Sequence, residues 1–180
     1  MIPGSANPLL LTSADSGFAI ERSLRFNSGD SAYLNRTPSA AGNRKTWTWS
    51  GWVKRSKITT LGGMFFNDTG NSDNTYGGIF FHTDGSFGFN GYGTQFRRTA
   101  ALYRDLSAWM HCVVACDSTS STAQHRMRIY VNGTEITDWT ANSTISQNYE
   151  FAINIANEHR IGRVTGDYLN GYLADVHFID

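Results

Sequence analysis

The sequence has no excess of either charge and no long apolar run. Its 15 basic and 15 acidic residues give a formal net charge of zero, and neither sign is clustered. A phosphate backbone or an anionic membrane would require a basic patch, so we expect no nucleic-acid partner. No segment approaches the roughly 18 apolar residues of a membrane span, so we expect no membrane insertion. Residues 1–17, MIPGSANPLLLTSADSG, also lack the basic region and long apolar core of a secretory signal.

Cysteine is scarce, and the two that occur cannot form a disulfide with each other. Cys112 and Cys116 lie in HCVVACD, which alternates as a strand. Four strand residues separate their Cα atoms by about 13 Å, whereas a disulfide needs roughly 4.4 to 6.8 Å. Both share a face with Val114, which predicts two small buried apolar side chains. His111 and His125 flank this region without completing the ligand spacing of a zinc site.

Acidic residues are too sparse and too scattered for a glycan hydrolase. Such enzymes place a pair of carboxylates about 5 to 9 Å apart, as two residues on one strand face would be. None of the four glutamates has a second acid two positions away; they are Glu21, Glu135, Glu150 and Glu158. The Gly-x-Ser-x-Gly elbow and the phosphate-binding GxxxxGK[ST] loop are absent too. We therefore predict that the chain is not an enzyme and rank glycan hydrolysis third among the functions considered.

Glycine and aromatic residues are abundant, with 18 Gly, 11 Phe, 8 Tyr and 5 Trp. Short alternating segments separated by turn residues follow one another to the end of the chain. They are FAIERSLRF, SAYLNR, TWTWSGWVKR, LGGMFFN, YGGIFFHT, SFGFNG, TQFRRTAALY, WMHCVVACD, HRMRIYVN, TEITDW, EFAINI, HRIGRV and GYLADVHFI. This regular spacing predicts an all-β fold, either a sandwich or a barrel, as a single domain over residues 18–180.

Two pairs of turn residues and one N-terminal segment complete this organisation. Asn132-Gly133 and Asp84-Gly85 are suited to the positive dihedral angles of type I′ hairpin turns. Residues 1–17 contain two of the three prolines and predict an extended arm. Its apolar triplet, which consists of Leu9, Leu10 and Leu11, is expected to dock on a neighbouring subunit.

The segment KTWTWSGWVK contains three tryptophans whose positions predict different environments. On a strand, Trp47 and Trp49 share one face with Val53, whereas Trp52 lies on the other face. Alternation of this kind is typical of a half-buried strand, so Trp47 and Trp49 are predicted to fill the core. Trp52 remains available for a partner or for covering the second sheet face.

Three segments together resemble the laminin-G-like, concanavalin A-like jelly-roll domains. The first is TWTWSGWVKR, an early strand with large alternating apolar residues. The second, LSAWMHCVVACDSTSSTAQHRMRIYVNGTEI, resembles the central hairpin with its Tyr-Val-Asn-Gly turn, and EHRIGRVTGDYLNGYLADVHFID resembles the closing strands. The resemblance implies a sandwich of two curved antiparallel sheets. That fold serves lectins, adhesion modules, glycanases and structural domains alike.

A narrower similarity is to virion proteins of tailed bacteriophages. The segment ERSLRFNSGDSAYLNRTPSAAGNRKTWTWSGWVKRS and the closing GYLADVHFID are similar to parts of such proteins, which often begin with an extended arm. This similarity implies a non-enzymatic structural component of the particle surface, a fibre or a capsid- or tail-attached protein. Its partners would be other virion proteins or copies of itself. The alternative hypothesis is a carbohydrate-binding adhesion module of a cell-surface or secreted protein.

Calcium is the one cofactor that the resemblance suggests, because members of the family often hold a calcium ion at the rim of the sandwich. The loop NDTGNSDNTYGG is rich in oxygen ligands, and the candidates are Asp68, Asn71, Asp73 and Asn74. Their spacing matches no defined calcium motif. Asn and Asp are also ordinary turn residues, so a solvated loop accounts for the same composition.

Sugar binding requires exposed aromatic rings beside hydrogen-bonding groups, because a pyranose presents an apolar face and a rim of hydroxyls. Five aromatic residues lie in turn-rich or polar-face contexts that meet this condition: Trp52, Tyr76, Tyr92, Trp139 and Tyr168. They are the candidate contacts for a host-surface glycan or a protein partner. Packing beneath a loop or against a second subunit is the competing interpretation for each ring.

Overall fold

The computed structural model describes residues 20–180. The arm and its leucine triplet lie outside the described residues. Within residues 20–180 there are two short 3-10 helices, at Ser28–Asp30 and Ala123–Arg126. The strands of the described part are β1 Leu24–Phe26, β2 Leu34–Arg36, β3 Thr46–Arg55, β4 Gly62–Asp68, β5 Tyr76–Phe81, β6 Phe87–Gly91, β7 Thr94–Thr99, β8 Met110–Asp117, β9 Met127–Val131, β10 Thr134–Glu135, β11 Trp139–Asn142, β12 His159–Ile161, β13 Arg163–Val164, β14 Asp167–Tyr168 and β15 Gly171–Ile179.

The strands form two antiparallel sheets and one two-stranded ribbon. The six-stranded sheet has the order β1-β15-β3-β8-β9-β10, and the seven-stranded sheet has the order β11-β7-β6-β5-β4-β12-β2. Strands β13 and β14 pair with each other to form the ribbon. The aromatic-rich core lies between the two sheets. The prediction of an all-β antiparallel sandwich is confirmed.

Strand β3 shows the alternation that its sequence predicts. Trp47 is 2 % exposed and Trp49 is fully buried, and both belong to the core between the sheets. Trp52 points to the outer face of the six-stranded sheet, is half-buried, and has its ring centre 5.1 Å from that of His111 on β8. The core assignment of Trp47 and Trp49 is therefore confirmed.

Strand β8 presents both cysteines to the same core. Cys112 and Cys116 are buried free thiols that flank the buried Val114. Burial raises the pKa of the Cys112 thiol to about 12 and also raises the pKa of Cys116, because the thiolate would lose its hydration. These side chains behave as small apolar residues, as their shared face predicts.

One of the two predicted hairpin turns has the expected form. Asn132 and Gly133 have φ values of 51° and 79°, and they join β9 to β10 across the pair Val131 and Thr134, as a type I′ turn does. At Asp84-Gly85 the prediction was wrong, because only Gly85 has a positive φ.

The turn at Asp84 is longer because its side chain organises the backbone. The N–H of His82 donates to the carbonyl of Ser86 at 2.8 Å, and the N–H of Gly85 donates to the carbonyl of His82 at 3.0 Å. The Asp84 carboxylate accepts from the N–H of Ser86 at 2.9 Å. Such a side-chain bond to the residue two positions on favours this type of turn over type I′.

The two segments that open with paired glycines are neighbouring strands, β4 and β5. Phe66 lies opposite Gly78 in the register. A Cβ atom at Gly78 would lie 2.3 Å from a carbon of the Phe66 ring. The glycine therefore makes room for the phenylalanine, which is one reason for a glycine inside a strand.

The segment EFAINI, predicted as a strand, is irregular. Phe151, Ala152 and Ile153 are buried in succession, which no half-buried strand allows. The backbone bonds of the segment go to loops and side chains: the N–H of Phe151 donates to the carbonyl of Arg44, and Asn67 donates to the carbonyl of Ala152. The segment passes into the interior and ends beside the groove that forms the candidate site.

Candidate functional site

A groove lies at one flank of the sandwich, where the edge strand β2 and its neighbour β12 face the end of β15. We call it the β2–β15 groove. Its volume is about 510 Å³. Its lining residues are Leu34, Asn35, Arg36, Pro38, Phe65, Asn154, His159, Ile161, Phe178 and Asp180. Residues far apart in the chain thus meet where the two sheets open.

The floor of the groove is aromatic and rigidly supported. The ring centres of Phe65 on β4 and Phe178 on β15 lie 5.0 Å apart. Phe65 also stacks on His159 at 5.3 Å with an angle of 21° between the rings, and Phe178 stacks on the buried Trp47 at 5.8 Å. Because the core holds these half-buried rings in place, a ligand would lose little free energy in ordering them.

Asn154 and His159 fix one wall of the groove. Asn154 has a left-handed backbone with φ of 62°, and its N–H donates to Nε2 of His159 at 3.0 Å. Nδ1 of His159 lies 2.9 Å from the carbonyl of Asn157. A backbone N–H can only donate, so Nε2 is the unprotonated nitrogen and Nδ1 carries the hydrogen. Burial lowers the pKa of His159, which keeps this neutral form.

The rim of the groove carries an acceptor and a donor of opposite charge. The Asp180 carboxylate accepts from the N–H of Asn43 at 3.0 Å and from Nδ2 of Asn154 at 2.6 Å, and these bonds lower its pKa. Arg36 on β2 is exposed and lies opposite His159 in the register. No other residue within 20–180 forms a hydrogen bond or an ion pair with its guanidinium. The guanidinium donors of Arg36 are therefore open to a ligand.

This arrangement suits binding better than hydrolysis. Half-buried phenylalanine rings provide an apolar surface, and the rim provides amide, carboxylate and guanidinium groups. That combination matches the apolar face and hydroxyl rim of a sugar ring. Asp180 is the one acidic residue among the described lining residues, so the groove lacks the pair of carboxylates that glycoside hydrolysis requires.

The five aromatic residues proposed from the sequence lie elsewhere. Tyr76 and Tyr92 are brought together, with ring centres 6.1 Å apart in an edge-on arrangement, and Tyr92 is 45 % exposed. Trp139 lines a second, smaller groove, and Trp52 lies on the outer face of the six-stranded sheet. Tyr168 has its ring centre 5.4 Å from the guanidinium of Arg163. Their role in ligand contact stays a prediction.

The four candidate calcium ligands have other partners or face solvent. Asp68 forms an ion pair with Arg160, and Asn74 accepts a hydrogen bond from Arg44 at 2.8 Å. Asn71 and Asp73 are exposed. Within residues 20–180, no three acidic, histidine or cysteine side chains come close enough to hold a metal ion together. A guanidinium on Asp68 disfavours a divalent cation at the same oxygens, so these residues do not fit the ion as they are arranged.

Sequence reasoning did not identify the groove residues Phe65, Asn154, His159 and Phe178. Phe65 and Phe178 have the pattern of strand residues, and nothing local marks them as half-exposed. Asn154 lies in a segment whose irregular path the sequence did not reveal. The groove forms only when residues more than 100 positions apart come together.

Comparison with known proteins identifies the family. The laminin G-like family described as the concanavalin A-like lectin/glucanases superfamily matches residues 27–180. The chain belongs to this family. No curated protein sequence matches the chain. In the described part, no helix has the length and apolar character needed to cross a membrane.

Several solved structures share the fold at low sequence identity. A heptameric SAP-like pentraxin from Limulus polyphemus is 16 % identical with a TM-score of 0.57, covering 81 % of this chain and 68 % of that chain. The CBM40 of Ruminococcus gnavus IT-sialidase, solved with α2,3-sialyllactose, is 13 % identical with a TM-score of 0.56, covering 81 % and 91 %. Mouse laminin α1 LG4-5 is 12 % identical with a TM-score of 0.56, covering 87 % and 41 %. At these identities the likeness concerns the fold alone.

Proposed function

We propose that this chain is a non-catalytic carbohydrate-binding module and that the β2–β15 groove is its glycan site. The observation that carries the proposal is the pairing of a half-buried aromatic floor with an uncommitted guanidinium, Arg36, on the rim. Domains of this family are typically binding modules, and the Ruminococcus gnavus relative was solved with a bound sialyl sugar. The single acidic residue in the groove supports binding without turnover.

Glycan-array screening of the purified chain, followed by isothermal titration of the best ligand, tests this proposal. Arg36→Ala should weaken binding about tenfold or more without changing the melting temperature, because Arg36 is exposed and has no described partner. Arg25→Ala is the matched control, since Arg25 is an exposed arginine on the outer face of β1.

The aromatic residues predicted from the sequence offer an alternative location for the glycan site. Tyr92→Ala or Trp52→Ala should leave the affinity unchanged if the β2–β15 groove is the site. Loss of binding in either variant, with Arg36→Ala unaffected, would move the glycan site to an outer sheet face. Absence of any glycan signal would remove the proposal.

A second proposal concerns the setting in which the module works. We propose that the chain is a structural component of a bacteriophage particle surface, because two of its segments are similar to tailed-phage virion proteins. An arm of 17 residues extends up to roughly 55 Å, long enough to place Leu9, Leu10 and Leu11 on a neighbouring copy or another virion protein. An adhesion module on a cell surface would use the same groove without that arm-dependent assembly.

Deletion of residues 2–17 distinguishes a role on a phage particle from a role as a cell-surface adhesion module. The truncated chain should remain a soluble folded sandwich and fail to assemble into particles or oligomers. Normal incorporation of the truncated chain would contradict a role of the arm. Locating the chain by electron microscopy of the native particle would test the virion setting directly.

A further inference from the structure

A second groove lies at the opposite flank of the sandwich, between the edge strands β10 and β11. We call it the Trp139 groove. Its volume is about 240 Å³. The lining residues that matter to its chemistry are Arg97, Gln124, Arg128, Glu135, Trp139 and Asn142. Two of these six are cationic and one is acidic, and Trp139 is half-buried.

Arg97 places a fixed positive charge at the base of the Trp139 groove. The residue is 4 % exposed, and its Nη1 donates to the carbonyls of Phe96 and Ser143, both at 2.8 Å. Its guanidinium carbon lies 5.7 Å from the centre of the Trp139 ring. Burial lowers the pKa of Arg97, since the charged form loses hydration. Two carbonyls hold this cation, and they do not neutralise it.

Positive charge continues along the adjoining segment. Nη1 of Arg126 donates to the carbonyl of Ile145 at 2.7 Å, two residues from the Ser143 carbonyl that Arg97 binds. Arg128 follows on β9, is exposed, and lines the groove. None of the ion pairs formed within residues 20–180 involves any of these three arginines.

The single acid of the Trp139 groove does not neutralise this charge. Glu135 on β10 is exposed and lies opposite Tyr130 in the register. It forms no ion pair with Arg128 among the described contacts. A buried or half-buried cation without a counter-charge is costly, and an anion that entered the groove would relieve that cost.

We propose that the Trp139 groove binds a sugar that carries an oxyanion, either a carboxylate or a sulfate ester. The planar guanidinium of Arg128 binds the oxyanion through two N–H groups, and Arg97 adds a desolvated charge beneath it. The Trp139 ring stacks on the apolar face of the sugar, and the exposed amides of Gln124 and Asn142 bind its hydroxyls. The inference does not rest on the function of the β2–β15 groove, which lies on the other flank.

The experiment is a titration of the full chain with two probes, a glucuronate-containing disaccharide and a sulfated disaccharide of the same backbone. Binding is followed by isothermal titration and by the fluorescence change of Trp139, which is assigned with Trp139→Phe. We expect binding by one or both probes, weakened several-fold on raising the salt concentration from 0.01 to about 0.15 M. Arg128→Ala should lower the affinity about tenfold or more, with Arg128→Lys intermediate, because an ammonium lacks the fork of donors.

A charge-specific variant separates recognition from a structural effect. Glu135→Gln should raise the affinity about two-fold or more, because it removes the one negative charge in the groove. Arg25→Ala should leave the affinity unchanged, because Arg25 is an exposed arginine on the outer face of β1 and lines neither groove. Binding by the carboxylated probe alone, or by the sulfated probe alone, identifies the oxyanion.

Three results would overturn the inference. The first is no binding of either probe at low salt with folded protein. The second is equal weakening by Arg25→Ala and Arg128→Ala, which would indicate unspecific attraction to surface charge. The third is an affinity that Glu135→Gln lowers.

Discussion

The backbone N–H of Asn154 donates a 3.0 Å hydrogen bond to Nε2 of His159. This bond holds Asn154 in its left-handed conformation, and Asn154 in turn holds the Asp180 carboxylate at the rim of the β2–β15 groove. Protonation of Nε2 would remove the acceptor and place a charge beside Phe65, which stacks on the same ring. The shape of the groove is therefore linked to the protonation state of one buried histidine.

Stability should fall as the pH falls below about 6.5. Burial lowers the pKa of His159, and it lowers the pKa of His82 to about 4. Between about 4 and about 6.5 the unfolded chain binds more protons at His82 than the folded chain, so the free energy of unfolding decreases as the pH decreases, and the lowered pKa of His159 acts in the same direction. We expect His82 to contribute a loss on the order of 1 kcal/mol per pH unit, measured by urea unfolding between about pH 7.5 and about pH 5.

Substitution of His159 tests whether this residue contributes to the pH dependence of stability. His159→Gln should reduce the slope of stability against pH, because glutamine offers an acceptor that does not titrate in this range. His177→Gln is the control, since His177 is exposed on β15. An unchanged slope in His159→Gln would contradict the role of this group.

Trp49 should stabilise the folded protein mainly by filling space in the core. The side chain is fully buried, and its indole nitrogen has no hydrogen-bond partner. Trp49→Ala should lower the free energy of unfolding by about 3 to 5 kcal/mol through lost burial and a cavity. Trp49→Phe should cost clearly less, because it keeps an aromatic ring and removes an unpaired buried donor. Chemical unfolding of the two variants beside wild type measures the difference, and equal losses would contradict the argument.

Neither cysteine should react in the native protein. Cys112 and Cys116 are buried, and burial raises both thiol pKa values. A thiol reagent such as 5,5′-dithiobis(2-nitrobenzoate) should therefore label neither residue at pH 8, and both after unfolding in guanidinium chloride. Labelling of Cys112 at native conditions, faster than global unfolding, would show that β8 opens locally.

The ion pair between Asp68 and Arg160 should oppose calcium binding at the predicted loop. Arg160 also pairs with Glu158, so one guanidinium serves two carboxylates at the outer face of the seven-stranded sheet. Millimolar Ca²⁺ should leave the melting temperature of the wild-type protein unchanged. A Ca²⁺-dependent rise that Asp68→Asn abolishes would show that the ion displaces the guanidinium.

The free energy of unfolding of Arg160→Gln tests the same ion pair between Asp68 and Arg160. The Asp68 side chain is 9 % exposed, so removing its partner leaves a nearly buried carboxylate unpaired. We expect a loss of about 2 kcal/mol, recovered in part by Asp68→Asn in the same chain. Additive effects of the two substitutions would show that the pair contributes nothing.

Sequence reasoning succeeded where the signal is local. The period of two in β3 and β8 placed Trp47, Trp49, Cys112 and Cys116 on the core face, because a strand directs successive side chains to opposite sides. The Asn132-Gly133 turn was predicted for a similar reason, since its residues tolerate positive φ without help from the rest of the fold.

Sequence reasoning failed where remote partners replace local bonds. Residues 150–155 alternate in part, yet Arg44 binds the carbonyl of Phe151 from 107 positions away and Asn67 binds the carbonyl of Ala152 from 85 positions away. At Asp84 the side chain bonds to Ser86 and lengthens the turn. In both places hydrogen bonds from side chains compete with the strand or turn that backbone preferences favour.

The amino-acid sequence by itself determined an all-β fold of short strands with Trp47 and Trp49 in its core, because alternation and turn chemistry act over a few residues. Only the tertiary structure decided where a ligand can bind. Phe65 meets Phe178 at one flank, and Arg97 lies under Trp139 at the other, because the stacking of two sheets brings distant strand edges together. Which rings stay half-open and which cations lack a counter-charge depends on that packing, and no local pattern encodes it.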